Sequence, residues 1–359
     1  MGAEGQMRSR LERAAEGYDS LIIAGDANVA YFTGCYCPGS ALVYSSGSAT
    51  LLVPALEYYK AAELAAGWMD VRPVLRRSTE SVDLPGLVRA TIPEAAAGLV
   101  RGRAAADLGA LGRGLAEELA ARIPGLADVA RRVLDMRSIK GPEEVDAIGE
   151  ALGITERAME RALSAAREGA SDFELAAEFE AEARRRGAER FAFDTLVGVG
   201  PNSANPHAIP RGIRVSRGDY VVLDGGVVRR GYCSDMTRTL ATGDDRLLRA
   251  VGAAVEAALD AIRPGVPARE VDAAARRELE RWGLSGNFLH GLGHGVGVEV
   301  HEPPYLAPGE ERALEPGMVV TVEPGAYVRG VGGARIEEMV LVTPGGGRLL
   351  NSLRRILRG

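Results

Sequence analysis

The chain has 359 residues, above the usual size of one domain, with 46 % apolar and 26 % charged residues, so two globular domains with sizeable cores are expected. A net charge of −6 with no Lys/Arg run or basic stripe argues against a nucleic-acid partner. No apolar run approaches the ~20 residues that cross a bilayer, and three cysteines make no disulfide framework.

At the N-terminus Arg8, Arg10, Glu12, Arg13 and Glu16 stand where a secretory signal needs an apolar stretch, so export is not expected. A cytoplasmic protein without a membrane partner is the expectation. Cys35, Cys37 and Cys233 fit a reducing compartment, and Cys35 and Cys37 read as packed thiols because no second cysteine pair completes a metal site. Lys60 and Lys140 are the only lysines and Gln6 the only glutamine. That bias suits heat adaptation or a GC-rich genome equally.

Residues 18–53 alternate short apolar runs (Leu21-Ile22-Ile23, Ala41 to Tyr44, Leu51-Leu52-Val53) with Gly, Asn and Ser, a pattern of strands joined by turns. Helices are predicted around 56–67, 82–90 and 107–122, which makes residues 1–130 an α/β domain. Arg131, Arg132, Arg137 and Lys140 cluster before Gly141-Pro142, and the proline opens a Glu-rich helix predicted over 143–167. Residues 131–141 are taken as the linker and 142–359 as the second domain.

That second segment carries an internal repeat. Residues 167–187 match 263–283, 96 positions later, and Gly218 to Gly226 matches Gly317 to Gly325. Each later block is a glycine, an apolar strand, a carboxylate (Asp224 or Glu323) and a glycine two residues on. A duplicated unit about a pseudo-two-fold axis would set Asp224 and Glu323 at equivalent places at the centre of one sheet.

Each carboxylate is followed by a hairpin whose return strand brings another acid, Asp235 in the first copy and Glu337 in the second. Four acids buried together are prohibitive unless cations or protons offset them, and two divalent ions would cancel their charge. Of four histidines, His207, His290, His294 and His301, three fall within twelve residues in a glycine-rich stretch whose backbone is free to approach a metal closely.

These residues resemble a known family. Asp224-Gly-Gly, Gly231-Tyr-Cys-Ser-Asp235-Met-Thr-Arg, Gly293-His294-Gly-Val-Gly, Val322-Glu323-Pro-Gly and Arg335-Ile-Glu337-Glu look like the metal-binding motifs of the pita-bread metallopeptidases. Methionine aminopeptidase, aminopeptidase P and prolidase belong to that family. The resemblance implies that Asp224 binds one metal, that His294 and Glu323 bind the other, and that Asp235 and Glu337 bridge them. Glu338 departs from the aspartate common at its position.

Gly200-Pro-Asn-Ser-Ala-Asn-Pro206-His207, together with His290 and His301, resembles the substrate side of the proline-specific branch. Asn28-Val-Ala-Tyr31-Phe-Thr-Gly34 and Ser138-Ile-Lys-Gly-Pro-Glu-Glu144 resemble the creatinase-type N-terminal domain and the opening of the domain after it. The implied architecture is α/β and two-domain, a creatinase-like domain followed by a pita-bread domain with a pseudo-two-fold repeat, in a homodimer. The implied reaction is hydrolysis of an Xaa-Pro bond with two divalent metals. The oxygen-rich set favours Mn or Co, with Fe or Zn open. Glu323 is the expected general base, His207 and His301 steady the substrate and its oxyanion, and His290 lines the substrate side. Arg335 would orient Glu337 or its neighbours, unless it makes only a surface ion pair. The compact chain and short N-terminal segment favour a prolidase (Xaa-Pro dipeptidase) over an aminopeptidase P. A metal-free creatinase-like hydrolase or a binding protein of this fold is disfavoured by the presence of all five ligands.

Overall fold

The computed structural model describes residues 3–64, 67–76, 82–353 and 357–358. The chain divides into two compact units, Met1–Arg137 and Ser138–Gly359.

In the first unit α1 (Ala3–Ala14) precedes β1 (Ser20–Ile23), α2 (Asp26–Thr33), β2 (Ala41–Ser45) and β3 (Ser48–Pro54). Next come α3 (Tyr58–Leu64), β4 (Asp70–Leu75), β5 (Val88–Arg89), α4 (Ile92–Leu99) and β6 (Ala104–Ala106). The sequence continues through α5 (Arg113–Arg122) and β7 (Ala127–Asp128) to α6 (Ala130–Ser138). The strands form one mixed sheet in the order β5-β4-β3-β2-β1-β6-β7. Its first three strands coincide with the three apolar runs read from the sequence. Ile22, Val43, Leu52 and Ala106 pack there with Leu119 of α5.

Three expectations need correction. Helix α2 lies inside the stretch read as strands and turns. It has no local side-chain cap. Instead the amides of Ala24 and Gly25 donate to Asp107, at 2.9 and 3.1 Å, so its start is set by a residue some eighty positions away. No helix forms over 82–90, where Gly86 at φ +69° follows Pro85 and ends in the short β5. The connection expected over 131–141 carries most of helix α6 and the boundary between the two units. Residues 65 and 66 of the helix predicted over 56–67 lie outside the described residues. Finally, Cys35 and Cys37 are joined by a disulfide, not left as thiols.

The second unit opens with α7 (Pro142–Ala165) and α8 (Asp172–Arg185). Proline at N1 and the Gly141 amide donating to Glu144 at 2.8 Å start α7, and a Ser171–Glu174 capping box starts α8. Strands β8 (Arg190–Phe191), β9 (Leu196–Val199), β10 (Tyr220–Gly225), β11 (Val227–Arg229), β12 (Tyr232–Cys233) and β13 (Met236–Ala241) follow. The second copy supplies α9 (Arg246–Ala261), α10 (Ala268–Arg281), β14 (Gly293–Gly295), β15 (Glu302–Leu306) and β16 (Val319–Val322). It ends with β17 (Gly325–Val328), β18 (Gly332–Arg335), β19 (Glu338–Thr343), β20 (Gly346–Leu349) and β21 (Leu357–Arg358).

The repeat is visible in the strand order. β10 lies between β9 and β13 in one sheet, as β16 lies between β14 and β19 in another, and α8 and α10 pack against α7 and α9. The equivalent carboxylates therefore sit on two sheets and not at the centre of one. The sheets meet where the Glu337 amide donates to Thr237 O at 3.1 Å and Thr239 Oγ1 to Arg335 O at 2.7 Å. Each copy has its own apolar core, Leu175, Phe179 and Leu223 in the first and Val251, Val271 and Val320 in the second.

Candidate metal centre

Asp224 lies inside β10, hydrogen-bonded in register between Thr237 and Leu196, so its position is fixed from both sides. Asp235 precedes β13, Glu323 follows β16, and Glu337 stands between β18 and β19. The tight turns at Arg230-Gly231 (φ +51° and +76°) and Gly330 (φ +81°) fold each hairpin back, as expected from the glycines. His294 is the middle residue of β14 and receives its backbone restraint from Thr321 Oγ1 at 3.0 Å.

The glycines beside His294 serve strand packing. A Cβ on Gly293 would stand 2.7 Å from Thr321 C, and one on Gly295 would stand 2.6 Å from Glu302 O. Only bare backbone lets β14 lie this close to its neighbours.

The five side chains converge. Ligand-capable atoms of Asp224, Asp235 and Glu337, and those of His294, Glu323 and Glu337, fall within 4.8 Å of one another, as do those of Asp235, His294 and His301. His294 Nε2 is 3.1 Å from Glu323 Oε1 and 3.7 Å from Asp235 Oδ2. Its Nδ1 lies 3.1 Å from Gly295 O, which can only accept, so Nδ1 carries a proton and Nε2 faces the acids. Asp224 Oδ1 and Glu337 Oε1 are buried and accept no hydrogen bond from any described residue. Two orphaned anionic oxygens in one cluster fit a cation in both charge and chemistry.

Electrostatics give the same picture. Burial, and then the charge of Asp224, pushes Asp235 well above the usual carboxylate range, and burial with Asp235 does the same to Glu337. Asp224 is raised by burial despite the opposing Arg335. Burial also works upward on Glu323, but the hydrogen bond and charge of His294 outweigh it and bring Glu323 below its ordinary value. For His294 burial works downward and Glu323 prevails, to about 9. Without cations the cluster retains protons.

Arg335 is buried and makes no surface pair. Its guanidinium donates to Asp224 Oδ2 at 2.6 Å, to Thr237 Oγ1 at 3.0 Å and to Tyr327 OH at 2.8 Å. It reaches Glu337 only through Thr237, whose hydroxyl donates to Glu337 Oε2 at 3.0 Å. Tyr327 in turn donates to His290 Nε2 at 2.9 Å, the ring's Nδ1 being spent on Gly291 O at 2.8 Å. Burial lowers the His290 pKa, which keeps this ring a neutral acceptor. Behind Glu337, fully buried Arg238 donates to the Glu337 carbonyl at 2.6 Å and pairs with Glu338 at 3.2 Å. The longer Glu338 is thus held by an arginine from the neighbouring hairpin. Sequence reasoning missed Tyr327, whose place on β17 was its only signal, and gave no role to Thr237 although it stands in the quoted Asp235-Met-Thr-Arg run.

The cluster floors a cavity of about 710 Å³. His207, His290 and His301 line it, with Phe193, Leu196, Leu289 and Tyr305 as the apolar part. The rings of His301 and His294 meet edge to face at 4.2 Å between centroids.

So many buried carboxylates around one imidazole, in a duplicated α/β fold, define a metal-dependent hydrolase of the pita-bread class. Residues 146–344 match "Metallopeptidase family M24" and residues 7–139 match "Creatinase/Prolidase N-terminal domain"; the chain belongs to family M24. It is 33 % identical over 369 residues to an Xaa-Pro dipeptidase of Pyrococcus furiosus, covering 98 % of this chain and 100 % of that one. Among solved structures, an Xaa-Pro dipeptidase from Bacillus anthracis superposes with a TM-score of 0.86 at 28 % identity, over 99 % of this chain and 100 % of the other. An X-Pro aminopeptidase from Thermotoga maritima gives 0.84 at 29 % identity, over 98 % and 99 %.

Proposed function

We propose that this metallopeptidase hydrolyses the bond before proline in Xaa-Pro dipeptides. The observation that carries the reading is the cluster of four carboxylates and His294 with two orphaned oxygens, in a chain related along its length to an Xaa-Pro dipeptidase. In this reading Asp224 would hold one divalent ion, His294 and Glu323 another, and Asp235 and Glu337 would be shared between them. Manganese or cobalt suits the oxygen-rich set, with iron or zinc less favoured. Bound there, the ions supply positive charge that polarises the scissile carbonyl and acidifies a water.

The chain's own groups do the rest. Glu323, whose pKa lies below the ordinary value, takes the proton of the attacking water and passes it to the departing proline nitrogen. His301 and His207 hold the substrate carbonyl and the developing oxyanion. His290, kept neutral and fixed by Tyr327, lines the substrate side. Arg335 fixes the direction of Asp224 and, through Thr237, of Glu337.

Homodimer assembly and a cytoplasmic location belong to the same reading. No helix of the described residues is long and apolar enough to cross a membrane. The Cys35–Cys37 bond spans a single intervening residue and ties no distant parts of the fold together.

The second reading, an aminopeptidase acting on longer peptides, is favoured by the close likeness to the Thermotoga maritima structure. One assay separates the two. Leu-Pro or Met-Pro is compared with the tripeptide that extends it by one residue, and with the matching Xaa-Ala dipeptide. The expected result is strong preference for the Xaa-Pro dipeptide. Faster cleavage of the tripeptide makes the protein an aminopeptidase, and equal cleavage of Xaa-Ala refutes proline specificity.

A further inference from the structure

We propose that the buried ion pair of Lys140 and Glu302 is a positioning device for His301, holding the segment 295–302 so that this ring faces the substrate. The proposal rests on the hydrolase reading above, in which His301 touches the substrate.

Lys140 Nζ and Glu302 Oε1 are 2.7 Å apart, and both side chains are 1 % exposed. The Lys140 amide donates to Gly317 O at 2.8 Å, in the turn that leads into β16 and Glu323. The ammonium is therefore anchored to the strand that carries a candidate metal ligand. Glu302 opens β15 directly after His301. Its carboxylate fills the space beside Gly297, where a Cβ would stand 2.7 Å from the carboxylate carbon. Gly297 in turn accepts from the Cys233 amide at 2.7 Å. The ion pair thus holds the segment at its His301 end, while the Cys233 amide holds it at Gly297.

The His301 ring has no such restraint of its own. No described residue hydrogen-bonds it, and its ring neighbour is His294. Its direction therefore follows from its backbone, and that backbone is held at the adjacent residue by Glu302. A buried ion pair adds little stability over well-packed apolar side chains, so its location is the informative feature. Its cation is one of only two lysines in a chain whose Lys and Arg total 43, and a compact ammonium differs in geometry from the planar guanidinium used elsewhere.

Lys140→Met removes the charge with little change in volume, and Glu302→Gln does so from the other side. Each is expected to lower kcat/KM on the Xaa-Pro peptide by about tenfold or more, chiefly through KM, with the metal content of the unaltered protein. In a His301→Ala background the same changes should cost less than about twofold, because the group they position is gone. An equal loss in both backgrounds overturns the proposal. A second measurement uses the metal-free protein with labelled imidazole nitrogens, where four histidines give four separable sets of signals. Lys140→Met or Glu302→Gln should shift or broaden the His301 signals and leave those of His207 in place. Unchanged His301 signals refute the device. Should the unaltered protein cleave no Xaa-Pro peptide, the proposed function fails while this measurement still decides the role of the pair.

Discussion

At the scale of single residues, the buried carboxylates carry the clearest consequence. Asp235 and Glu337 are held above the usual range by burial and by their neighbours' charge, so in the metal-free protein each is costly to ionise. Asp235→Asn and Glu337→Gln should therefore leave the melting temperature of the metal-free protein unchanged or higher. The same variants should lose most of the metal-induced rise and at least about a hundredfold in activity, since even outer partners of a metal ligand cost 10–100-fold. A variant that keeps two bound metals and near-native turnover removes that residue from the ligand set. These acids were legible in the sequence because each stands on the return side of a hairpin whose first strand ends in Asp224 or Glu323. Tyr327, which joins Arg335 to His290, was not, because a tyrosine on a strand carries no local sign of what it faces.

At the scale of elements, β14 shows how backbone packing places a side chain. Its glycines admit Thr321 on one side and Glu302 on the other, and the histidine between them is aimed by that close approach. Gly293→Ala should cost about 1–3 kcal/mol through overpacking and weaken metal binding by displacing His294. Gly286→Ala, where a Cβ would meet nothing within 4 Å, should do neither. Thermal melts with and without metal read both effects, and equal costs at the two sites would mean that strand crowding does not set the position of His294. The corresponding places of β10 and β16 were foreseeable from the repeat. Their division between two sheets was not, since apolar strands with one carboxylate each do not encode which neighbour will pair with them. Helix α2 was hidden for a related reason, the amides of Ala24 and Gly25 just before it being met by Asp107 at the end of the neighbouring strand β6.

At the scale of the whole molecule, protons and cations compete for one site. Asp224, Asp235 and Glu337 have raised pKa values in the folded state, and His294 rises from 6.5 to about 9. All four groups bind more protons when folded than when unfolded, so they stabilise the metal-free protein at low pH and lose that contribution as pH rises. The carboxylate part fades from the ordinary carboxylate range upward, and the His294 part between 6.5 and about 9. Cation binding needs the acids ionised and His294 neutral, so affinity grows over the same interval. The metal-induced increase in melting temperature should be larger at about pH 8 than at about pH 5.5. An increment that shrinks as pH rises would show that protons do not occupy this site.

The amino-acid sequence by itself determined the two-part α/β plan, the duplicated second segment and the gathering of four acids with one histidine. Those features are written in short-range patterns: an apolar strand, a turn glycine, a carboxylate, repeated. Only the tertiary structure decided which groups orient them. Arg335 directs Asp224 from 111 positions away, Arg238 holds the Glu337 backbone across 99, and Lys140 meets Glu302 in the interior. Such contacts depend on which strands pair and which faces are buried. A buried charge must find its partner wherever the folded chain brings one, and that distance in space leaves no period in the sequence.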